Sequence, residues 1–387
     1  MLSDKNNLIK YCYDNKCSKE WIEHIKISHL NKKKLNITYI NNGICIPDKN
    51  LSQECFSGGI FDETLEPVEA SFQRFGLKTY RELLDSTNFE NIFFSEENVV
   101  YLGQYRNHWG SFLIDSISRL WFTLDNPKSY KYIFLLTQAE LGDIGKNMFE
   151  LLYYFGIPKE NIYLVKDVMK FKKIIIPDMS FIPMQYYTHE YITTIETIVK
   201  NSNYQNLNIP IYEKVYFSRS KFSKNSNTDL GEENIVNFFK KNGYHVVYPE
   251  ECNLKEQIFY VNTCSIFASV GGSCAHNIIF SINNNPKMIL FNRMNGYQWH
   301  QWFIDEISHV EPITYVDAYI EPFRKIYKTT LNGPYLYWIN KNVIKYAHDN
   351  QMCIPDTLIR IKIKLLLKYT YLCLKNELSS IKNKIIK

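Results

Sequence analysis

The sequence has no run of about 18 apolar residues, which excludes a helix that spans a bilayer. Its nine cysteines are odd in number and include no Cys-x-x-Cys pair, and the opening stretch MLSDKNNLIKYCYDNKC carries no apolar signal core. Free thiols in a reducing, cytosolic compartment are the expectation. No Asp-x-Asp occurs anywhere, which argues against a carboxylate-held Mg2+ or Mn2+, and no metal site is expected. A global basic field is also missing. The formal net charge is +5, but residues 358–387 hold Arg360, Lys362, Lys364, Lys368, Lys375, Lys382, Lys384 and Lys387 against Glu377 alone, so that tail is +7 and the remaining chain −2. Nucleic acid is therefore not an expected partner. No internal repeat is present.

What is there fits a globular chain of two domains, since 387 residues exceed what one core usually serves. Hydrophobic content of 45% and charged content of 22% are ordinary, while 29 Tyr and 24 Phe favour aromatic-lined clefts. Residues 1–95 are mixed and receive no assigned role, and NKKK at 31–34 reads as a solvated turn. Apolar runs at 98–102, 132–136, 162–165 and 173–177 then alternate with helical stretches, and a polar segment at 200–210 reads as a linker. Alternation resumes with strands at 214–220, 244–249, 265–270 and 287–292, and helices at 232–243 and 253–263. Such alternation implies parallel, helix-covered sheets. The expected domains are 1–205, 206–330 and a C-terminal helical segment, 331–387, with a basic amphipathic tail.

The most informative stretch is FASVGGSCAHNIIF, residues 267–280. A strand breaks at Gly271–Gly272 and is expected to restart as a helix, whose unpaired first-turn amides would face an anion. Ser273, His276 and Asn277 would add donors; the alternative is an ordinary turn with Ser273 as N-cap. Arg219 in YFSRSKF follows its own strand and should project from the same carboxyl edge, where a guanidinium fork suits a diphosphate. Its other use is an ion pair with Glu232 or Glu233. Lys221 is a further donor-side candidate or plain solvated charge. In NVVYLGQYRNHWGSFLIDSISRLWF, residues 98–122, Phe112, Leu113, Ser116, Leu120 and Trp121 make a buried helix face. Asp115 among them is either paired with Arg119 one turn on or a group suited to proton transfer, and His108 is either a core histidine or a base.

These segments, with GEENIVNFFKKNGYHVVYPEECNLKEQI between them, follow in order and spacing the catalytic region of glycosyltransferase family 61, which the chain resembles over about residues 95–320, in the bacterial capsule and surface-polysaccharide branch. The resemblance implies a GT-B-like α/β architecture of two Rossmann-type domains facing a cleft, a nucleotide-sugar donor held mainly by the C-terminal one, and inversion at the anomeric carbon. By position, Arg219 matches the arginine at the donor phosphates; Gly272, Ser273, His276 and Asn277 match the Gly-Ser-x-x-His-Asn turn; Asp115 matches the aspartate of the N-terminal motif. Ser111 and Gly271 depart from the pattern, since many relatives carry histidine at the first position and histidine or another polar residue at the second.

The expected reaction is an inverting, nucleotide-sugar-dependent transfer to a glycan or lipid-linked acceptor in capsule or lipopolysaccharide synthesis. Asp115 or, as rival, His108 would be the base, Arg219 and the turn would stabilise the leaving diphosphate, and no cofactor is implied. The tail 358–387 reads either as an interfacial helix on an anionic membrane surface, placing a cytoplasmic enzyme at the inner face, or as a helix packed on protein. Trp299 and Trp302 are candidates for stacking on sugar rings, with core as their other use. A silent glycan-binding scaffold or a nucleotide-sugar epimerase are the competing readings.

Overall fold

The computed structural model describes residues 22–23, 26, 29–47, 58–72, 92–136, 144–183, 185–222, 229–294, 299–310, 312–322, 333–356 and 359–385. The chain forms two compact units, Ser28–Tyr204, and Gln205–Lys387 together with Met1–Ile27.

The first unit is built on six strands, β1 (Ile37–Ile46), β2 (Gly59–Phe61), β3 (Phe93–Gln104), β4 (Lys131–Leu135), β5 (Ile162–Val165) and β6 (Met169–Pro177), in the order β2-β1-β6-β3-β4-β5. The four strands β6-β3-β4-β5 run parallel, as expected; α1 (Lys146–Phe155) and α2 (His189–Ser202) pack on each other, and the helical segment at 112–123 lies against β3. The edge corrects the all-parallel expectation, because β1 pairs antiparallel with both β6 and β2. Residues 1–95, given no role from the sequence, thus supply a third of this sheet. Asn41-Asn42-Gly43 reads as a turn signal but lies inside β1, with Asn42 at φ 54°. Gly43 lets the two strands approach closely there, since a Cβ would stand 2.7 Å from the end of the Ile174 side chain of β6, which would have to shift. The core of this unit gathers Val99, Tyr101, Ile133, Leu135, Phe171, Ile174 and Ile176, all nearly or fully buried.

The second unit carries β7 (Lys214–Phe217), β8 (Asp229–Leu230), α3 (Glu232–Lys241), β9 (His245–Val247), α4 (Leu254–Thr263), β10 (Ile266–Val270), β11 (Lys287–Asn292), α5 (Trp299–Ser308), β12 (Ile313–Asp317), β13 (Tyr335–Leu336), α6 (Lys341–Asp349) and α7 (Ile359–Ile385). Five strands form one wholly parallel sheet in the order β9-β7-β10-β11-β12, and β8 pairs with β13 as a separate parallel ribbon. The chain moves outward from β7 to β9, then returns to the other side of β7 at β10. That reversal makes the carboxyl ends of β7 and β10 a topological switch point, where open parallel sheets hold ligands. Tyr216, Phe238, Phe239, Ala268 and Phe291 fill the core beneath it.

Local chemistry sets the elements. Helix α3 stops where Gly243 takes φ 78°, and α4 starts with a full capping box between Asn253 and Glu256. Helix α7 packs Tyr369 and Cys373 against Leu230 and Leu336 of the β8–β13 ribbon. Among the described residues no helix is long and apolar enough to cross a membrane.

The capping box predicts that Asn253→Ala lowers unfolding stability by about 0.5–2 kcal/mol while Asn253→Ser retains most of it, read from paired denaturant titrations.

Candidate functional site

Three adjacent parallel strands deliver the site in the second unit. Phe217 of β7 lies opposite Ser269 of β10, and Val270 lies opposite Phe291 of β11, so Arg219, the Gly271–Gly272 turn and Arg293 leave the sheet at one edge. The Gly271 N–H donates to the Phe291 carbonyl at 2.9 Å, fixing where the turn begins. Gly272 has φ 138°, and a Cβ there would run into the Arg219 guanidinium and stand 3.4 Å from Arg293 Cζ. Glycine is therefore required both for the backbone angle and for the approach of the two arginines.

A buried carboxylate orders those arginines. Asp229, with 2% of its side chain exposed, has one oxygen 3.5 Å from Arg219 Nη2 and the other 3.5 Å from Arg293 Nη1. Burial alone would weaken the Arg219 charge; Asp229, together with Tyr337, Cys274 and Glu232, more than offsets it and holds the guanidinium above its ordinary pKa. Arg293 lies 4.1 Å over the Tyr335 ring, and Tyr335 stands opposite Asp229 in the β13–β8 register, so one short ribbon positions both. Glu232, the first residue of α3, is fully buried. Its Oε1 accepts from the Arg219 N–H at 2.7 Å, from Ser218 Oγ at 2.9 Å and from the Tyr216 hydroxyl at 3.3 Å. Burial, against the hydrogen bond from Arg219 N–H, raises the Glu232 pKa to about 7, and the Asp229 charge adds to the rise.

The structure corrects the local reading of the turn. The expected helix restart is a six-residue 3-10 turn, Ala275–Phe280, with Cys274 at its N-cap and no side-chain cap, so Ser273 does not cap a helix. Ile278 and Ile279 are β-branched and the run ends at Ser281, too short for an α-helix to propagate. The positive character of this edge comes from the arginines, not from a helix terminus. His276 and Asn277 are buried. His276 Nδ1 lies 2.8 Å from Gln301 Oε1, while Gln301 Nε2 donates to Asp305 at 2.7 Å. A carboxylate can only accept, so Gln301 must accept from His276, and the imidazole hydrogen sits on Nδ1. Asn277 donates to the Cys274 carbonyl at 3.1 Å and tightens the turn. Lys221 pairs with Glu251 at 2.8 Å above the Tyr248 ring, on the surface. Trp302 is core, 4% exposed, and the Trp299 side chain lies outside the described residues.

Arg293, Asp229, Tyr335, Gln301 and Asp305 were not anticipated. One signal was available for Arg293: it follows the apolar run KMILFN as Arg219 follows KVYFS.

In the first unit, β3 bends at Gly103, φ 107°, where its register with β4 shifts, and leads into an irregular helical segment. One α-turn, Trp109–Ser111, passes into a π-turn, Phe112–Ser116, and a 3-10 stretch, Ile117–Thr123. Asp115 is 5% exposed within the π-turn. Residues 112–120 are buried all round, so the one-faced helix expected from the sequence is a central element; Trp121 lies at its margin, donating to the Asp178 carbonyl at 2.8 Å. Arg119 sends its guanidinium to the Pro177 and Phe72 carbonyls and lies 5.5 Å from the Tyr101 ring. His108 is the exposed N-cap, its Nδ1 accepting from the Ser111 N–H at 3.2 Å. Neutral His108 so held carries its hydrogen on Nε2. Among the described residues no group of three or more His, Cys, Asp or Glu side chains is placed to hold a metal ion.

Compared with known families, residues 109–289 match the model described as Glycosyltransferase 61. No curated protein matches the chain. The matched span includes Asp115, Arg219, Gly272, Ser273, His276 and Asn277 and stops before Arg293. It supports glycosyltransferase family 61 and with it glycosyltransferase activity.

Glu232 predicts a pH dependence of stability. Its folded pKa of about 7 lies above the ordinary 4.5, so the folded state binds more protons between those values and stability falls as pH rises through that window. Glu232→Gln keeps an acceptor for the Arg219 N–H and should flatten that slope, on the order of 1.4 kcal/mol per unit of pKa difference, in thermal melts from pH 4.5 to 7.5.

Proposed function

We propose that the protein is an inverting glycosyltransferase that moves a sugar from a nucleotide-sugar donor to a glycan or lipid-linked acceptor in bacterial capsule or lipopolysaccharide synthesis. The observation that carries this is Arg219, laid against Gly272 at the switch point of a wholly parallel sheet, within the segment matched to glycosyltransferase family 61. A guanidinium fork at that edge suits the phosphates of a nucleotide donor. A GT-B-like architecture is part of the same reading, supported by two α/β units that each carry a parallel sheet.

The chemistry needs a base for the acceptor hydroxyl and compensation for the departing diphosphate. Asp115 is the base in this proposal. His108 is the weaker rival, because its Nδ1 already accepts from Ser111 and its other nitrogen is then a donor. Arg219 takes the diphosphate charge. Metal independence belongs to the proposal and rests on the lack of Asp-x-Asp together with the arginine. Buried His276 and Asn277 would shape the turn around the phosphates and nearby sugar, and Ser273 would donate from it. Lys221 would have to leave Glu251 to reach a donor.

Calorimetry with UDP-, GDP-, dTDP- and CMP-sugars in excess chelator is the direct test. One nucleotide class should bind, and Arg219→Ala should weaken it about 10- to 100-fold, the equivalent of one charge-assisted hydrogen bond or somewhat more. Binding that returns only with a divalent ion would overturn metal independence. Glycan binding with no nucleotide-sugar consumption would favour the scaffold, and free sugar product without acceptor the epimerase.

The proposal places the enzyme at the inner face of the cell membrane through α7. Tyr369 and Cys373 hold one side of that helix to the protein, whereas Ile363, Leu367, Tyr371, Leu374 and Leu378 form a second apolar stripe, each more than half exposed. Lys364, Lys368 and Lys375 flank the stripe. Apolar residues bordered by lysine suit an anionic bilayer surface, at roughly 1 kcal/mol per basic residue near it. Vesicles containing phosphatidylglycerol should pellet the full chain, and Leu367→Glu/Leu374→Glu should release it; equal pelleting of both, or a salt-insensitive dimer that hides the stripe, would refute this placement.

A further inference from the structure

The two arginines around Asp229 leave a chemical imbalance that a single donor-phosphate arginine does not explain. The one carboxylate of Asp229 faces two guanidiniums, at 3.5 Å each, and among the described residues neither of its oxygens accepts a hydrogen bond. Arg293 Nε is buried and donates to no acceptor among the described residues, and the neighbouring Tyr337 hydroxyl is in the same state. Buried donors without acceptors are costly unless something supplies them. The arginine side chains are nearly withdrawn from water, 18% exposed for Arg219 and 10% for Arg293. Their guanidiniums crowd one point, the bare Cα of Gly272. The Tyr335 face fixes the plane of the second fork. A compact pair of planar forks, converging on one point at one sheet edge, matches an anion with two adjacent charged groups.

We propose that Arg293 is a second donor-phosphate arginine, forming with Arg219 a two-fork clamp for the diphosphate of a nucleoside diphosphate, and that Asp229 is the positioning residue that aims both forks. This rests on the donor-site reading above and adds to it the second fork and the residue that positions both. Asp229 acts as the resident counter-ion. It holds the arginines beside Gly272 when no ligand is bound and does not itself touch the phosphates.

The test compares the matching nucleoside diphosphate, the nucleoside monophosphate and inorganic diphosphate by calorimetry on the full chain, with Arg219→Ala, Arg293→Ala, Arg293→Lys and Asp229→Asn. The wild type should favour diphosphate over monophosphate. Arg293→Ala should weaken the diphosphate about 10- to 100-fold, leave the monophosphate within a few-fold and so collapse the preference. Arg293→Lys retains a cation against Asp229, and with it the fold, but has no fork, and should recover only part of the loss. Asp229→Asn should weaken the diphosphate while leaving the cations in place. Melting curves report folding, and the double variant Asp229→Asn/Arg293→Ala removes both buried charges should the single variant unfold. A folded Arg293→Ala or double variant with wild-type preference, beside an Arg219→Ala that loses binding, overturns the clamp and leaves the donor site standing. A wild type that binds none of the three overturns the donor site itself.

Discussion

The edge of the second unit depends on Asp229. It is a short-stranded residue in a two-residue ribbon, yet it fixes two arginines that arrive from different strands of another sheet. Removing one partner of a buried pair typically costs about 3–5 kcal/mol because a charge is left uncompensated, so such a residue constrains everything it touches. Here that includes the Gly271–Gly272 turn, which has room only because Gly272 has no side chain. Helix α7 packs on the Leu230 and Leu336 of the same ribbon, linking the stability of the C-terminal helix to the order of the site.

Glu232 plays a complementary part from below. By accepting the Arg219 N–H it sets the backbone from which the guanidinium departs, and burial raises its pKa to about 7. Two acidic groups therefore serve one arginine in different ways, one through the main chain and one through the side chain. The His276–Gln301–Asp305 chain does the same for the turn, tying it to α5 through buried polar atoms whose hydrogen positions are fixed by the carboxylate.

The first unit departs from regular helix where its own candidate residues lie. A π-turn around Asp115 between an α-turn and a 3-10 stretch is costly backbone, and such turns recur at functional sites. The sequence located that segment but not its form. Periodicity registers a buried face, whereas residues 112–120 are buried all round, and the terminal nitrogens of Arg119 donate to carbonyls from distant segments that no local pattern reveals.

By itself the sequence determined the alternation of strands and helices, the parallel central strands, the Gly-Gly turn and the carboxyl-edge position of Arg219, because each follows from local apolar runs and glycine punctuation. Only the tertiary structure decided that Asn42 and Gly43 lie within a strand, that the turn continues as 3-10, and that Arg293, Asp229 and Tyr335 meet beside Arg219. Those outcomes turn on strand pairing and on side-chain contacts between separate elements, such as Arg293 with Asp229, which hydrophobic period and turn propensity do not encode.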